Sequence, residues 1–283
     1  MDAVAKGLTR NTGGARPWGA PAEALLITAD GVRIHAVHRP ADGSADGVPA
    51  VVTGVAAPSL AVVVAHGFTG AVERPALRRA AEVLARHAGV VTFSFRGHGR
   101  SEGRSTVGDR EVLDLEAAID WARSLGYPRV ATVGFSMGGA VAVRHAALYP
   151  GVESVAAVSA PARWYYRGTV PMRRLHWVVM KPLGRVVGRL GLRTRIDPQE
   201  WTDVPVPPVE AAAVLGERGV PLLVVHGDSD PYFPLDHPRS LYRAAAAASG
   251  VSELWIEEGF GHAENAADEA LIERVGEWLT RGL

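Results

Sequence analysis

The sequence predicts an α/β protein built on a largely parallel sheet, and three observations lead there. Short apolar runs rich in Val and Ala recur along the 283-residue chain. They lack the polar alternation of a half-solvated sheet, which suits strands buried on both faces. Segments of helical period separate them, and strand-then-helix repetition specifies a sheet with helices on both sides.

The elements follow in order. "LLIT" (25–28) and "VRIHAVH" (32–38) flank "ADG", a turn signal, and predict an opening hairpin. "ADGSADG" (41–47) reads as a polar loop, and "PAVVTGV" (49–55) as a short extended piece. Six further runs predict strands: "LAVVVAHG" (60–67), "VVTFSFRG" (90–97), "RVATVGFS" (129–136), "VAAVSAP" (155–161), "PLLVVHGD" (221–228) and "SELWIEEG" (252–259). Between them, Glu73 to His87 keeps Leu77, Ala80, Ala81 and Leu84 on one helical face. Asp109 is placed to cap a helix reaching Ser124, with Val112, Leu115, Ile119 and Ala122 at core spacing. Met137 to Tyr149 and Asn265 to Thr280 supply two more helices. The interval from Pro161 to Leu222, about 60 residues, exceeds a simple crossover helix and predicts an inserted helical lid. The expected organisation is a flexible N-terminal tail (1–21), a core in two parts (22–161 and 217–283), and the lid insertion (162–216).

Composition narrows the function. The chain has 30 Lys plus Arg and 30 Asp plus Glu, so no overall field recruits nucleic acid. It has no cysteine, which excludes a disulfide framework, a thiolate metal site and a cysteine nucleophile. The first twenty residues hold no signal-peptide core, and no run approaches the ~20 apolar residues of a membrane span. A cytoplasmic protein is the expectation. No H-E-x-x-H, Walker A loop or G-x-G-x-x-G fingerprint occurs, so neither a metal nor a cofactor is expected.

In "VATVGFSMGGA" (130–140), Ser136 stands between glycines where an apolar strand gives way to a helical pattern. A serine hydroxyl is a weak nucleophile that needs a base, an orienting acid and donors for an oxyanion. A sharp strand-to-helix turn tolerates Gly134 and Gly138 because neither carries a Cβ, and the helix start aims free N–H groups at the serine. The base is expected late in the chain, and His262 in "EEGFGHAEN" lies past the last strand. For the acid, "VVHGDSDPYFP" offers both Asp228 and Asp230.

These motifs, in this order, resemble the α/β-hydrolase superfamily from about Ala24 onward. The resemblance implies a mostly parallel eight-stranded sheet with helices on both faces. It selects Asp230, four residues before Pro234, as the acid and leaves Asp228 as a turn residue. The other acid position used in the family, after the sixth strand, holds Ser159 and Ala160. "AHGFTG" resembles the family's oxyanion loop, so backbone N–H groups of Phe68 and Met137 would form the hole. His66, and His98 and Arg100 of "FRGHGRSEG", would shape loops. A serine rather than an aspartate nucleophile argues against dehalogenase or epoxide-hydrolase chemistry.

The lid segment 162–196 carries nine Lys or Arg and no Asp or Glu, interleaved with Trp164, Trp177, Val178, Val179 and Met180. Pro182, Gly184, Gly188 and Gly191 predict several short helices rather than one long one. Such a segment suits an apolar underside over the site, with weak contact to anionic lipid or an acidic acyl carrier as a further use. Trp164, Tyr165, Trp177 and Phe233 are the expected substrate contacts. The expectation is a cofactor-independent serine hydrolase acting on small-to-medium acyl or aryl esters. A thioesterase of coenzyme A or carrier-bound acyl groups, and a non-catalytic ligand-binding relative, are the alternatives.

Overall fold

The computed structural model describes residues 22–42, 59–248 and 251–281. The expected tail (1–21), the extended piece at 49–55 and most of the 41–47 loop lie outside the described residues.

The opening hairpin pairs β1 (Ala22–Ile27) antiparallel with β2 (Arg33–Arg39). Gly31, at φ 82°, closes the turn, and its N–H donates to the Thr28 carbonyl at 2.8 Å. The remaining strands are β3 (Leu60–Ala65), β4 (Gly89–Phe93), β5 (Arg129–Phe135), β6 (Val155–Val158), β7 (Leu222–Gly227) and β8 (Glu253–Glu257). Together they form one eight-stranded sheet in the order β1-β2-β4-β3-β5-β6-β7-β8. β2 is antiparallel to β4, and every pairing from β4 to β8 is parallel.

Burial on both faces explains the unbroken apolar runs. In β3, Ala61, Val63 and Ala65 face one hydrophobic cluster while Leu60, Val62 and Val64 face another. The first cluster is covered by α2 (Glu111–Ser124) and α3 (Met137–Leu148), and the second by α1 (Pro75–Leu84).

Two helix boundaries differ from expectation. Asp109 does not cap α2, which begins two residues later. The fully buried Glu111 carboxylate accepts the N–H groups of Thr106, Val107 and Gly108 at 2.9, 3.2 and 2.9 Å, drawing the preceding turn onto itself. Asp109 instead faces Arg144 at 3.4 Å. The C-terminal helix is split into α8 (Ala263–Ala266) and α9 (Glu269–Thr280). Ala267 is extended, and the Asp268 carboxylate accepts the Leu271 N–H at 2.8 Å, a cap that starts a new helix.

The long interval between β6 and β7 contains α4 (Val170–Met180), α5 (Pro182–Leu190) and α6 (Pro208–Glu217). The last of these buries Ala211, Ala212 and Leu215 in the first core cluster, beside α3 and α7 (Asp236–Ala246). Only α4 and α5 stand outside the core. Helix α4 ends where Lys181 turns extended before Pro182. Gly184 and Gly188 do not interrupt α5. They lie inside it, where a Cβ at Gly184 would meet the Val178 Cα at 2.7 Å, so they are contact points for α4. Among the described residues, no helix is long and apolar enough to cross a membrane.

Candidate active site

The site gathers at the C-terminal edge of the parallel strands, where successive loops converge. Ser136 sits between β5 and α3 at φ 52° and ψ −116°, a region costly for any residue with a side chain. What holds it there is close backbone packing. A Cβ on Gly134 would run into the Gly138 carbonyl, and one on Gly138 would meet the carbonyl of His66 at 2.6 Å. The Ser136 N–H is fixed by the Val158 carbonyl of the neighbouring strand at 2.8 Å.

His262 follows β8 and brings Nε2 to 2.9 Å from the Ser136 hydroxyl. Its Nδ1 lies 2.6 Å from Asp230 Oδ2, on a carboxylate with a fully buried side chain. The other oxygen, Oδ1, accepts the N–H groups of Tyr232 and Phe233 at 2.7 and 3.1 Å. This fixes the Nδ1 proton toward Asp230 and leaves the Nε2 lone pair facing the serine. Asp228 has a different occupation. Its Oδ1 accepts the Gly259 N–H at 2.8 Å and the Ser229 hydroxyl at 3.0 Å, tying the β7 loop to the β8 loop.

Phe68 and Met137 come from segments in contact, because the glycine after Met137 packs on the end of β3. As the first residue of α3, Met137 has an N–H without an intrahelical acceptor. The loop bearing Phe68 is held from two sides. His98 Nε2 meets the Phe68 carbonyl at 2.8 Å, and the Gly67 N–H donates to Glu264 Oε1 at 3.1 Å. His66 is wholly buried, with Nδ1 donating to the Gly67 carbonyl at 2.7 Å and Nε2 accepting the Phe95 N–H at 3.0 Å. Burial, with His98 nearby, pushes its pKa down to about 3, so the ring is neutral. The His98 loop is anchored by Arg96, whose buried guanidinium bridges Asp114 at 2.8 Å and Asp30 at 2.7 Å. Arg100 is exposed and pairs with Glu23 at 2.9 Å.

Four contributors escaped the sequence reading. Tyr232 lays its ring over His262 at a centroid distance of 4.4 Å. His226, fully buried and with its pKa lowered by that burial, donates from Nε2 to the Phe233 carbonyl at 2.9 Å and closes the acid-bearing loop. His237 Nδ1 accepts the Ala162 N–H at 3.0 Å. Glu264 is buried with its pKa raised by desolvation, and its Oε2 has no hydrogen-bond partner among the described residues. A histidine directly before "GD" and an acid two residues past "GH" were the available signals.

The expected substrate contacts separate. Phe233 is buried with its ring 5.7 Å from that of His262. Trp164 and Tyr165 line a cavity of about 660 Å³ together with Met172, Leu175, Val179 and Trp201. Tyr166 is not among the residues lining that cavity and packs on Phe233 at 6.1 Å. Trp177 borders neither the cavity nor His262, and it is exposed on the outer side of α4 because the inner side is taken by Leu175 and Val179. Ser159, after β6 at φ 52°, is fully buried, and its hydroxyl accepts the N–H of Ala263, itself at φ 56°. Among the described residues, no group of three or more His, Asp or Glu is placed to hold a metal ion.

A family model for the alpha/beta hydrolase fold matches residues 61–174. With the eight-stranded sheet, this match gives the chain the α/β-hydrolase fold. It is 27% identical over 265 residues to a monoacylglycerol lipase of Mycolicibacterium smegmatis, covering 78% of this chain and 88% of that protein. The solved structure of the Pyrococcus furiosus esterase Pf2001 superposes with a TM-score of 0.70 at 23% identity, over 93% of this chain and 91% of that one. Ferulic-acid-bound Est1E from Butyrivibrio proteoclasticus gives 0.59 at 18% identity, over 90% and 96%.

Proposed function

We propose that this chain is a serine hydrolase that cleaves carboxylic esters through an acyl-enzyme on Ser136. The observation that carries the reading is the hydrogen-bonded series Ser136–His262–Asp230, at 2.9 and 2.6 Å, with the serine held in a strained turn. The names of an esterase and a monoacylglycerol lipase among similar proteins favour esters.

In this mechanism Ser136 Oγ bonds to the acyl carbon as its proton passes to His262 Nε2. The carbonyl electron pair moves onto oxygen, which accepts hydrogen bonds from the Phe68 and Met137 N–H groups. Collapse expels the alcohol, protonated by His262, and water repeats the sequence to release the acid. Asp230 holds the imidazole in its Nδ1–H tautomer and stabilises the imidazolium. Each oxyanion donor contributes about 3 kcal/mol to the barrier reduction. Glu264 and His98 position the Phe68 loop. The α4–α5 segment acts as the lid, and the cavity of about 660 Å³ beneath α4 receives the apolar part of the substrate.

A fluorophosphonate probe tests the nucleophile: the native chain is expected to label and Ser136→Ala to stay unlabelled. Equal labelling of both, or none of the native chain, refutes the reading. Turnover of p-nitrophenyl esters of graded chain length, with Leu175→Trp narrowing the cavity, tests the acyl site. The variant is expected to lose long esters and keep acetate; thioesters turned over in preference to oxygen esters would reassign the leaving group.

A further inference from the structure

Helix α5 is oriented against the usual rule for amphipathic helices. A surface helix normally turns its apolar stripe inward. Here the inward positions are Gly184 and Gly188, both buried against α4. The apolar stripe of Leu183, Val186, Val187 and Leu190, at i, i+3, i+4 and i+7, faces out with relative exposures of 66, 51, 43 and 75%. On α4, Trp177 and Met180 are also exposed, at 43 and 50%, with Met180 on the wall of the cavity.

The segment that carries this stripe is rich in cations. Of the nine Lys and Arg residues in segment 162–196, only Arg163 has an ion-pair partner among the described residues, Asp236. Arg167, Arg173, Arg174, Lys181, Arg189 and Arg193 are exposed. We infer that the α4–α5 surface docks on an anionic lipid surface, with Leu183, Val186, Val187 and Leu190 entering the acyl boundary and the flanking cations meeting headgroup phosphates.

Charge decides between occupants. A symmetric pair of copies joined here would bring two unneutralised cationic surfaces face to face. A layer of anionic headgroups neutralises them, while its hydrocarbon edge takes up a four-residue aliphatic stripe that water otherwise covers. An acidic protein would satisfy the cations but leave an all-aliphatic stripe without a stated need.

The test is sedimentation of the purified full chain with vesicles, a readout independent of catalysis. Vesicles containing phosphatidylglycerol are expected to carry the protein down, and pure phosphatidylcholine vesicles far less. Binding should weaken as salt rises from about 0.05 to about 0.5 M. Neutralising two cations in Arg174→Gln/Arg189→Gln should weaken it about 30-fold, at about fivefold per charge. Leu183→Ser/Leu190→Ser should weaken it comparably while leaving the charge unchanged. Both variants alter exposed side chains, so unchanged melting and circular dichroism are expected to certify the fold.

Failure of the native chain to bind anionic vesicles overturns the inference. So does binding unaffected by the serine variant, which would make the attraction purely one of charge. Dimerisation in solution that this variant abolishes, or saturable binding of a purified acidic acyl carrier protein without vesicle binding, would assign the surface to another occupant and equally overturn it.

Discussion

Replacing Asp230 with Asn changes one atom and should disable the site through a tautomer. Two backbone N–H groups, from Tyr232 and Phe233 at 2.7 and 3.1 Å, point at Oδ1. The amide oxygen must occupy that position, because an NH₂ there would face two donors. The NH₂ is then turned toward His262 Nδ1, at the present 2.6 Å contact. Histidine can meet a donor at Nδ1 only with a lone pair, which moves its proton to Nε2. That proton faces the Ser136 hydroxyl at 2.9 Å, where an acceptor is required. The expected loss in kcat is about 10⁴-fold, or about 5.4 kcal/mol of barrier, with little change in stability. Asp228→Asn is the control, since an amide oxygen can still accept from Gly259 and Ser229; a loss below about tenfold is expected. Steady-state turnover of p-nitrophenyl acetate with matched thermal melts measures both. A larger loss in Asp228→Asn, or more than about a tenth of native turnover in Asp230→Asn, refutes the reasoning.

Gly134→Ala drives a Cβ into the Gly138 carbonyl, so it should abolish probe labelling of Ser136 and cost about 1–3 kcal/mol in denaturant unfolding. Arg96→Met leaves Asp114 buried without its guanidinium and should destabilise by about 3–5 kcal/mol, read from the urea midpoint. His66 gives a pH dependence. Its folded pKa, about 3, lies below the unfolded value of about 6.5, so the unfolded chain takes up a proton that the folded chain refuses. The stability contributed by the neutral ring is complete above about pH 6.5 and is lost as pH falls toward 3. Urea midpoints should therefore fall between pH 7 and 4, and His66→Gln should flatten that slope; an unchanged slope would show that other groups govern it.

The legible parts of this chain were those written locally. Strands β3 to β7 announced themselves as apolar runs, Ser136 directly follows one of them, and His262 lies shortly after the last strand, so their order along the chain carried their meeting in space. The choice between Asp228 and Asp230 needed the resemblance, because both sit on one loop at two-residue spacing. Glu264 was not legible, since its partner Gly67 is 197 residues away. The same holds for His237 and Ala162, 75 residues apart. Composition marked segment 162–196 as basic and apolar at once, but not which residues would meet the protein. Gly184 and Gly188 looked like helix breakers, whereas their lack of side chains is what lets α4 approach. Capping rules favoured Asp109, and a buried glutamate two residues on overrode them.

The Ser159 hydroxyl holds the Ala263 N–H at 3.0 Å, beside His262. At the strand end that could have presented a second acid, the side chain is committed to holding the turn that carries the base. Ser159→Ala would leave the Ala263 N–H, beside the base, without its acceptor, so the aim of the histidine at Ser136 depends on a residue that takes no part in the chemistry.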